Sequence, residues 1–179
     1  MKTQKAIQKF HKKANEWLID LENIDSQKIS VNPKQDSWSL SELYDHIMRV
    51  ARTYQIPNFH NSSTSLAVRK KRKNKYGIAI FNLGLRMQVQ IQMQRFPAPL
   101  VTNFTPQKRT KEDLIKDFKT FIHEVNELEN NVLKSSKNNK HYHPMFGDIN
   151  TLEWFSLIEI HMSHHDIQKE RIMKYLKSL

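Results

Sequence analysis

His161 and His165 stand four residues apart near the C-terminal end of the chain. On an α-helix that spacing puts both imidazoles on one face, a single turn apart, where they can share a metal ion. His164 is their neighbour in sequence but sits about 100° around the helix, so it does not share that face. Alone, such a pair is weak evidence, because two hydrogen-bonded surface histidines have the same spacing. His46 strengthens it, since it falls among Leu43, Ile47 and Val50 on the apolar side of its own helical stretch. Burying three imidazoles costs free energy unless each nitrogen finds a partner. One divalent cation serves all three, and three His ligands with an open position suit Zn²⁺ or Ni²⁺. The chain has no Cys, so any metal site must use His, Asp or Glu, and disulfides, thiolate ligands and an intrinsic thiol nucleophile are excluded.

Four amphipathic stretches must position these histidines. Ile7, Phe10, Ala14, Trp17, Leu18, Leu21 and Ile24 form the stripe of a first helix that ends near Asp25. Ser39 and Glu42 form a capping box for a second, with the stripe Leu40, Leu43, Ile47, Val50, Ala51 and Tyr54. Pro57 and the Asn and Ser cluster at 61–63 are expected to end it. Thr110 and Asp113 resemble the start of a third, striped by Leu114, Phe118, Phe121, Ile122, Val125 and Leu128. After a polar loop at 135–148, Asn150 and Glu153 repeat the capping pattern. The last helix is expected to carry Trp154, Phe155, Ile158, His161, Met162, His165 and Ile172 to the C-terminus.

The expected fold is therefore all-α, a four-helix bundle in one domain over 1–179, with an irregular insert around 62–108. Within that insert, 76–96 reads two ways. Leu83, Leu85, Met87, Val89, Ile91 and Met93 alternate as in a strand, whereas Gln, Arg and Met favour helix and an isolated strand has no sheet to join. Pro97, Pro99 and Pro106 mark an extended connection.

The formal charge is +11, from 29 Lys and Arg against 18 Asp and Glu. Six of those cations, Arg69, Lys70, Lys71, Arg72, Lys73 and Lys75, lie within seven positions, and without them the charge is +5. Such a run can contact phosphates or anionic lipid. No aromatic platform interleaves it and no nucleic-acid module surrounds it, so a solvated, mobile loop is the expectation and nucleic acid is not an expected partner. The first ten residues lack the apolar core of a secretory signal. No apolar run approaches the roughly 20 residues of a membrane helix, and a cytoplasmic protein with no membrane partner is expected.

Trp38 and Ser39 before the second helix, Glu42 and His46 within it, the run His143 Pro144 Met145 Phe146 Gly147, then Glu153 Trp154, and finally His161, His164, His165 and Gln168 together resemble the DinB-like, or YfiT-like, superfamily of metal-dependent hydrolases. The resemblance spans about 38–168. It implies a four-helix bundle in an up-down-down-up arrangement, often dimeric, with a divalent ion, commonly nickel or zinc, on three histidines at the positions of His46, His161 and His165. It also favours helix for the first part of 76–96. Asp166 departs from the pattern, since many members carry Arg there. Relatives include S-transferases that use bacillithiol or mycothiol, and a mycothiol-dependent maleylpyruvate isomerase. The resemblance thus implies a small-molecule substrate, with either a low-molecular-weight thiol or water activated at the ion.

No general base stands out. Glu42, one turn before His46, could orient that imidazole or act as base, although capping explains it equally. Gln168 could hydrogen-bond a ligand histidine or a substrate, or be an ordinary polar neighbour. His141 and His143 are expected to shape the loop before the last helix. Trp38, Trp154 and Phe146 are expected to pack, and His11, His60 and His123 to lie at the surface. A non-enzymatic module that uses the basic run at 69–75 to bind nucleic acid or another polyanion is the alternative reading.

Overall fold

The computed structural model describes residues 2–64, 71–85 and 98–179. The first apolar stripe buries Ile7, Phe10, Ala14, Trp17 and Leu21 along α1, Lys2–Asn23. At the start of α2, Leu40–Val50, the capping box forms as the sequence predicts. Ser39 Oγ accepts the Glu42 N–H at 3.3 Å, and the Glu42 carboxylate accepts the Ser39 N–H at 2.9 Å.

Pro57 does not end this helix. A π-helical turn, Ala51–Gln55, follows α2, with the Ile56 N–H reaching back to the Ala51 carbonyl, and α3 continues over Ile56–Ser63. Proline lacks an N–H and disrupts a helix interior, but it is tolerated in a first helical turn, where no donor is required. The wider π turn resets the register so that Pro57 occupies such a place.

α4 spans Lys75–Phe81 and α5 spans Ala98–Phe104. The first part of the ambiguous segment is thus helical, while 86–96 lies outside the described residues. The connection expected to be extended contains α5, with Pro99 in its first turn. Thr110 Oγ1 accepts the Asp113 N–H at 3.2 Å and opens α6, Lys111–Asn126. A short α7, Glu129–Lys134, follows.

Within the stretch read as a polar loop, β1, Lys140–His143, pairs antiparallel with β2, Gly147–Asn150, His141 facing Ile149. Strands of four residues are too short for alternation to declare itself, and much of this hairpin is held from outside. The Phe146 carbonyl accepts the Asn74 N–H at 3.0 Å, and the Asn74 side-chain amide donates to the Met145 carbonyl at 2.8 Å. Gly147 turns with φ +76°, and a Cβ there would lie 2.8 Å from the Asn74 nitrogen.

Asn150 and Glu153 cap α8, Thr151–His164, reciprocally at 3.0 and 2.8 Å. The chain does not run on as one helix. His165 interrupts it at φ −88°, ψ −1°, and α9, Asp166–Lys177, starts afresh.

α1 packs against α6 and α8, α2 against α6, and α3 against α8, which closes a four-helix bundle. Aromatic edges fill its centre: Phe10 meets Phe121 and Phe155, and Tyr44 meets Trp17 and Phe118. The Tyr44 hydroxyl donates to the Trp17 carbonyl at 2.6 Å, so this buried ring carries no unpaired polar end. Among the described residues, no helix is long and apolar enough to cross a membrane.

Candidate metal centre

His46 projects from the middle of α2, His161 from the last turn of α8, and His165 from the break between α8 and α9. The His165 N–H bonds to the His161 carbonyl at 3.2 Å, so the one-turn spacing holds across the break. The rings lie 5.2 Å apart for His46 and His161, 5.1 Å for His46 and His165, and 4.8 Å for His161 and His165, between centroids. One nitrogen from each lies within 4.8 Å of the others. His46 and His161 are 6% and 5% exposed, and His165 is partly buried. The structure thus brings together the three histidines that the sequence singled out, and they could hold a metal ion.

Burial keeps all three neutral, the state in which imidazole can ligate. It pushes His46 below the usual histidine range, opposed by a hydrogen bond to the Phe104 carbonyl. It drives His161 well below that range, with the neighbouring imidazoles adding to the effect. His165 is pushed down to about 3, by burial and then by His46, against the pull of Gln168.

Two of the rings are oriented through their outer nitrogens. His46 Nδ1–H donates to the Phe104 carbonyl at 3.0 Å, and His165 Nδ1–H donates to Gln168 Oε1 at 2.8 Å. In each neutral ring the Nε2 lone pair is then left for a ligand, the arrangement common behind metal-binding histidines. His161 Nδ1 is buried with no hydrogen-bond partner, which is costly in a site with nothing to bind it. With one nitrogen from each of three neutral imidazoles converging, the residues present fit a divalent ion.

Around the cluster, the Trp38 ring centroid lies 4.7 Å from that of His46, and the ring stacks at 25° over His165, 6.3 Å away. Trp38 is therefore a wall of the site as well as a packing residue. Gln168 takes the role of orienting a candidate ligand. Glu42 is engaged in capping: its carboxylate accepts Ser39 N–H, Ser39 Oγ–H and the Asn32 side-chain amide, the last two at 2.7 and 3.1 Å. Partial burial works against its charge, but those bonds outweigh that and hold it below the usual carboxylate range. His164 neighbours His165 at 5.0 Å between centroids but is not one of the converging three.

His143 sits instead in an aromatic nest under the hairpin, against Phe146, Trp154 and Tyr54. Its Nδ1 accepts the Met145 N–H at 3.1 Å, and burial pushes it down to about 3. It shapes the turn, as the sequence suggests. His11, His60 and His123 are exposed.

The basic run is less free than its composition implies. Arg69 and Lys70 lie outside the described residues. Lys73 pairs with Glu153, Lys140 Nζ donates to the Lys71 carbonyl, and the backbone from Arg72 to Asn74 is bonded to the hairpin. The described part, 71–75, is tied to the edge of β2 by a bridge between Lys73 and Gly147, while Lys71, Arg72 and Lys75 stay exposed.

Two participants escape sequence reasoning. The Phe104 carbonyl is a backbone group, present at every residue and unmarked by any side chain. Asp166, which stands out in sequence only as a departure, accepts hydrogen bonds from Trp17 Nε1 at 2.9 Å and Lys13 Nζ at 2.6 Å and so ties the break beside His165 to α1.

No family model matches the chain, and no curated protein matches it. Among solved structures, one described as the crystal structure of TT2238, a four-helix bundle protein, is similar at 16% identity over 99% of each chain, with a TM-score of 0.50. A likeness at that identity speaks for architecture alone. The chain is a mostly helical protein built as a four-helix bundle.

Proposed function

We propose that this protein is a metal-dependent enzyme of the DinB-like class that holds a divalent ion, zinc or nickel, on His46, His161 and His165 and acts on a small-molecule electrophile. The observation that supports this most is the convergence of three neutral imidazoles on one point, two of them braced by hydrogen bonds at their outer nitrogens. The up-down-down-up helix order and a dimer belong to the same reading.

When bound, the ion supplies Lewis acidity, which makes a low-molecular-weight thiol or a water molecule acidic enough to act as nucleophile near neutral pH. A thiol of the bacillithiol type suits a chain that has no cysteine of its own. The chain's residues hold and orient. Phe104 fixes the tautomer of His46 through its carbonyl, and Gln168 does the same for His165 through its amide oxygen. Trp38 covers His46 and His165 with an apolar face, keeping bulk water from that side and giving a flat substrate a surface to lie against.

The test is elemental analysis of untagged, natively purified protein beside His46→Ala, followed by thiol and electrophile assays of metal-reconstituted wild type. About one ion per chain, little in the variant and thiol-dependent consumption of an activated aryl chloride establish the S-transferase reading. Metal-dependent ester or amide cleavage without thiol establishes the hydrolase reading. A wild type that takes up neither Zn²⁺ nor Ni²⁺ overturns both.

A further inference from the structure

α2 grips the chain that follows α5 at three successive points. Ser41 Oγ accepts the Arg109 N–H at 2.7 Å and donates to the Arg109 carbonyl at 3.0 Å. Asp45 Oδ2 accepts the Gln107 N–H at 2.8 Å. His46 Nδ1–H donates to the Phe104 carbonyl at 3.0 Å. Residues 104–109 therefore run antiparallel to α2, and the bond at the third point orients a candidate metal ligand.

Asp45 is only 2% exposed, so the position of its carboxylate is not an accident of the surface. Arg49 pairs with it one turn along α2, and Arg109 Nη1 lies 3.6 Å from Oδ1. A buried carboxylate needs partners for its charge, and here two guanidinium groups and one backbone N–H supply them. The arginines continue outward: Asp117 is shared by Arg109 and Arg52, and Arg52 also meets Glu124. The outer groups join α6 to Arg52 in the π turn and to Arg109 in the segment after α5. Asp45 thus binds that segment at Gln107, and Arg109, two residues further on, belongs to the same ionic cluster.

We propose that Asp45 is a positioning residue for the three-histidine centre: by tethering the backbone at Gln107 it holds the Phe104 carbonyl where it orients His46, with Nε2 directed to His161 and His165. This rests on the reading of the three histidines as a metal site. Bonds behind a ligand histidine commonly govern metal affinity by 10- to 100-fold, and Asp45 acts one step further back, through the segment that supplies that bond.

The experiment compares Asp45→Asn, which can still accept the Gln107 N–H, with Asp45→Leu, which is of similar size and cannot. Asp117→Asn perturbs the ionic cluster but leaves the tether alone. Two quantities are read on untagged protein: Zn²⁺ affinity by competition with a chelator, and, in the metal-free state, solvent exchange of the His46 Nδ1–H by ¹H–¹⁵N NMR. Asp45→Leu is expected to weaken Zn²⁺ binding about tenfold or more and to speed that exchange, with Asp45→Asn and Asp117→Asn near wild type in both. If Asp45→Leu does not fold, Asp45→Ala is held to the same expectation. Equal losses in Asp45→Leu and Asp117→Asn would assign the effect to the charge cluster and overturn the tether, as would wild-type exchange in Asp45→Leu. Absence of Zn²⁺ binding by wild type would overturn the metal reading, while the exchange comparison still decides the positioning role.

Discussion

Trp17 Nε1 donates a 2.9 Å hydrogen bond to the carboxylate of Asp166, so the first helix of the bundle is tied to the residue directly after a candidate metal ligand. Lys13 reaches the other oxygen of the same carboxylate. Desolvation opposes the lysine charge, but Asp166 and Glu16 outweigh it and raise Lys13 above its usual range. Asp166→Ala is expected to cost about 1–2 kcal/mol, because it strands the buried indole N–H, and to weaken Zn²⁺ binding by freeing the helix break. Urea unfolding of the metal-free protein and a chelator titration separate the two effects. A variant with wild-type stability would show that the tie contributes nothing.

His161→Ala should abolish stoichiometric metal while leaving the bundle folded, because apolar packing among α1, α2, α6 and α8 supplies most of the core. Helical circular dichroism close to wild type, with metal content near zero, is the expected pair of results. In the wild type, chelation should lower the melting temperature, since a ligand bound only by the folded state stabilises it by mass action. Retention of one ion per chain by His161→Ala would remove this residue from the ligand set.

Acid should destabilise the metal-free protein earlier than carboxylate titration would. His46, His143, His161 and His165 all titrate below the ordinary 6.5 in the folded state, His143 and His165 at about 3. The unfolded chain therefore takes up protons first as pH falls. Their contribution to stability is complete above pH 6.5 and is lost progressively from there down towards 3, at up to about 1.4 kcal/mol per pH unit for each group. Depressed carboxylates such as Asp117 act in the same direction, but only below their own ordinary value of 3.8. Urea midpoints at pH 7.5, 6.0 and 5.0 should fall steadily, and His143→Phe should flatten the slope. A flat profile over that range would contradict burial of these rings in the neutral form.

Glu42 separates capping from catalysis. Glu42→Gln keeps an oxygen able to accept the Ser39 N–H, so it should retain metal content and turnover with a modest loss of stability, whereas Ser39→Ala should cost about 1 kcal/mol. A large fall in turnover for folded, metal-loaded Glu42→Gln would make Glu42 the missing base.

Much of the bundle is legible in the chain because its signals are local. Ser39 with Glu42 and Asn150 with Glu153 satisfy backbone donors three residues away, so each helix start is written where it occurs. The stripes of α1 and α6 repeat every turn and need only one partner face. Pro57 does not act as a stop because its effect depends on register, which the π turn at Ala51–Gln55 changes. The hairpin at 140–150 carries little local signal because part of its hydrogen bonding comes from Asn74 and Arg72, some seventy residues earlier. The break at His165 carries no Gly or Pro to announce it.

By itself the sequence determined which residues could ligate: three histidines on apolar helical faces, in a chain with no cysteine to compete. Periodicity fixes only the direction in which each side chain leaves its helix. Whether those directions converge depends on how the helices cross, and that was decided by packing of Trp17, Tyr44, Phe118 and their neighbours. Tertiary structure alone placed the Phe104 carbonyl behind His46, tied Asp166 to Trp17 and laid Trp38 over the cluster. These are contacts between segments distant in the chain, and they form only once the apolar faces have been buried against one another.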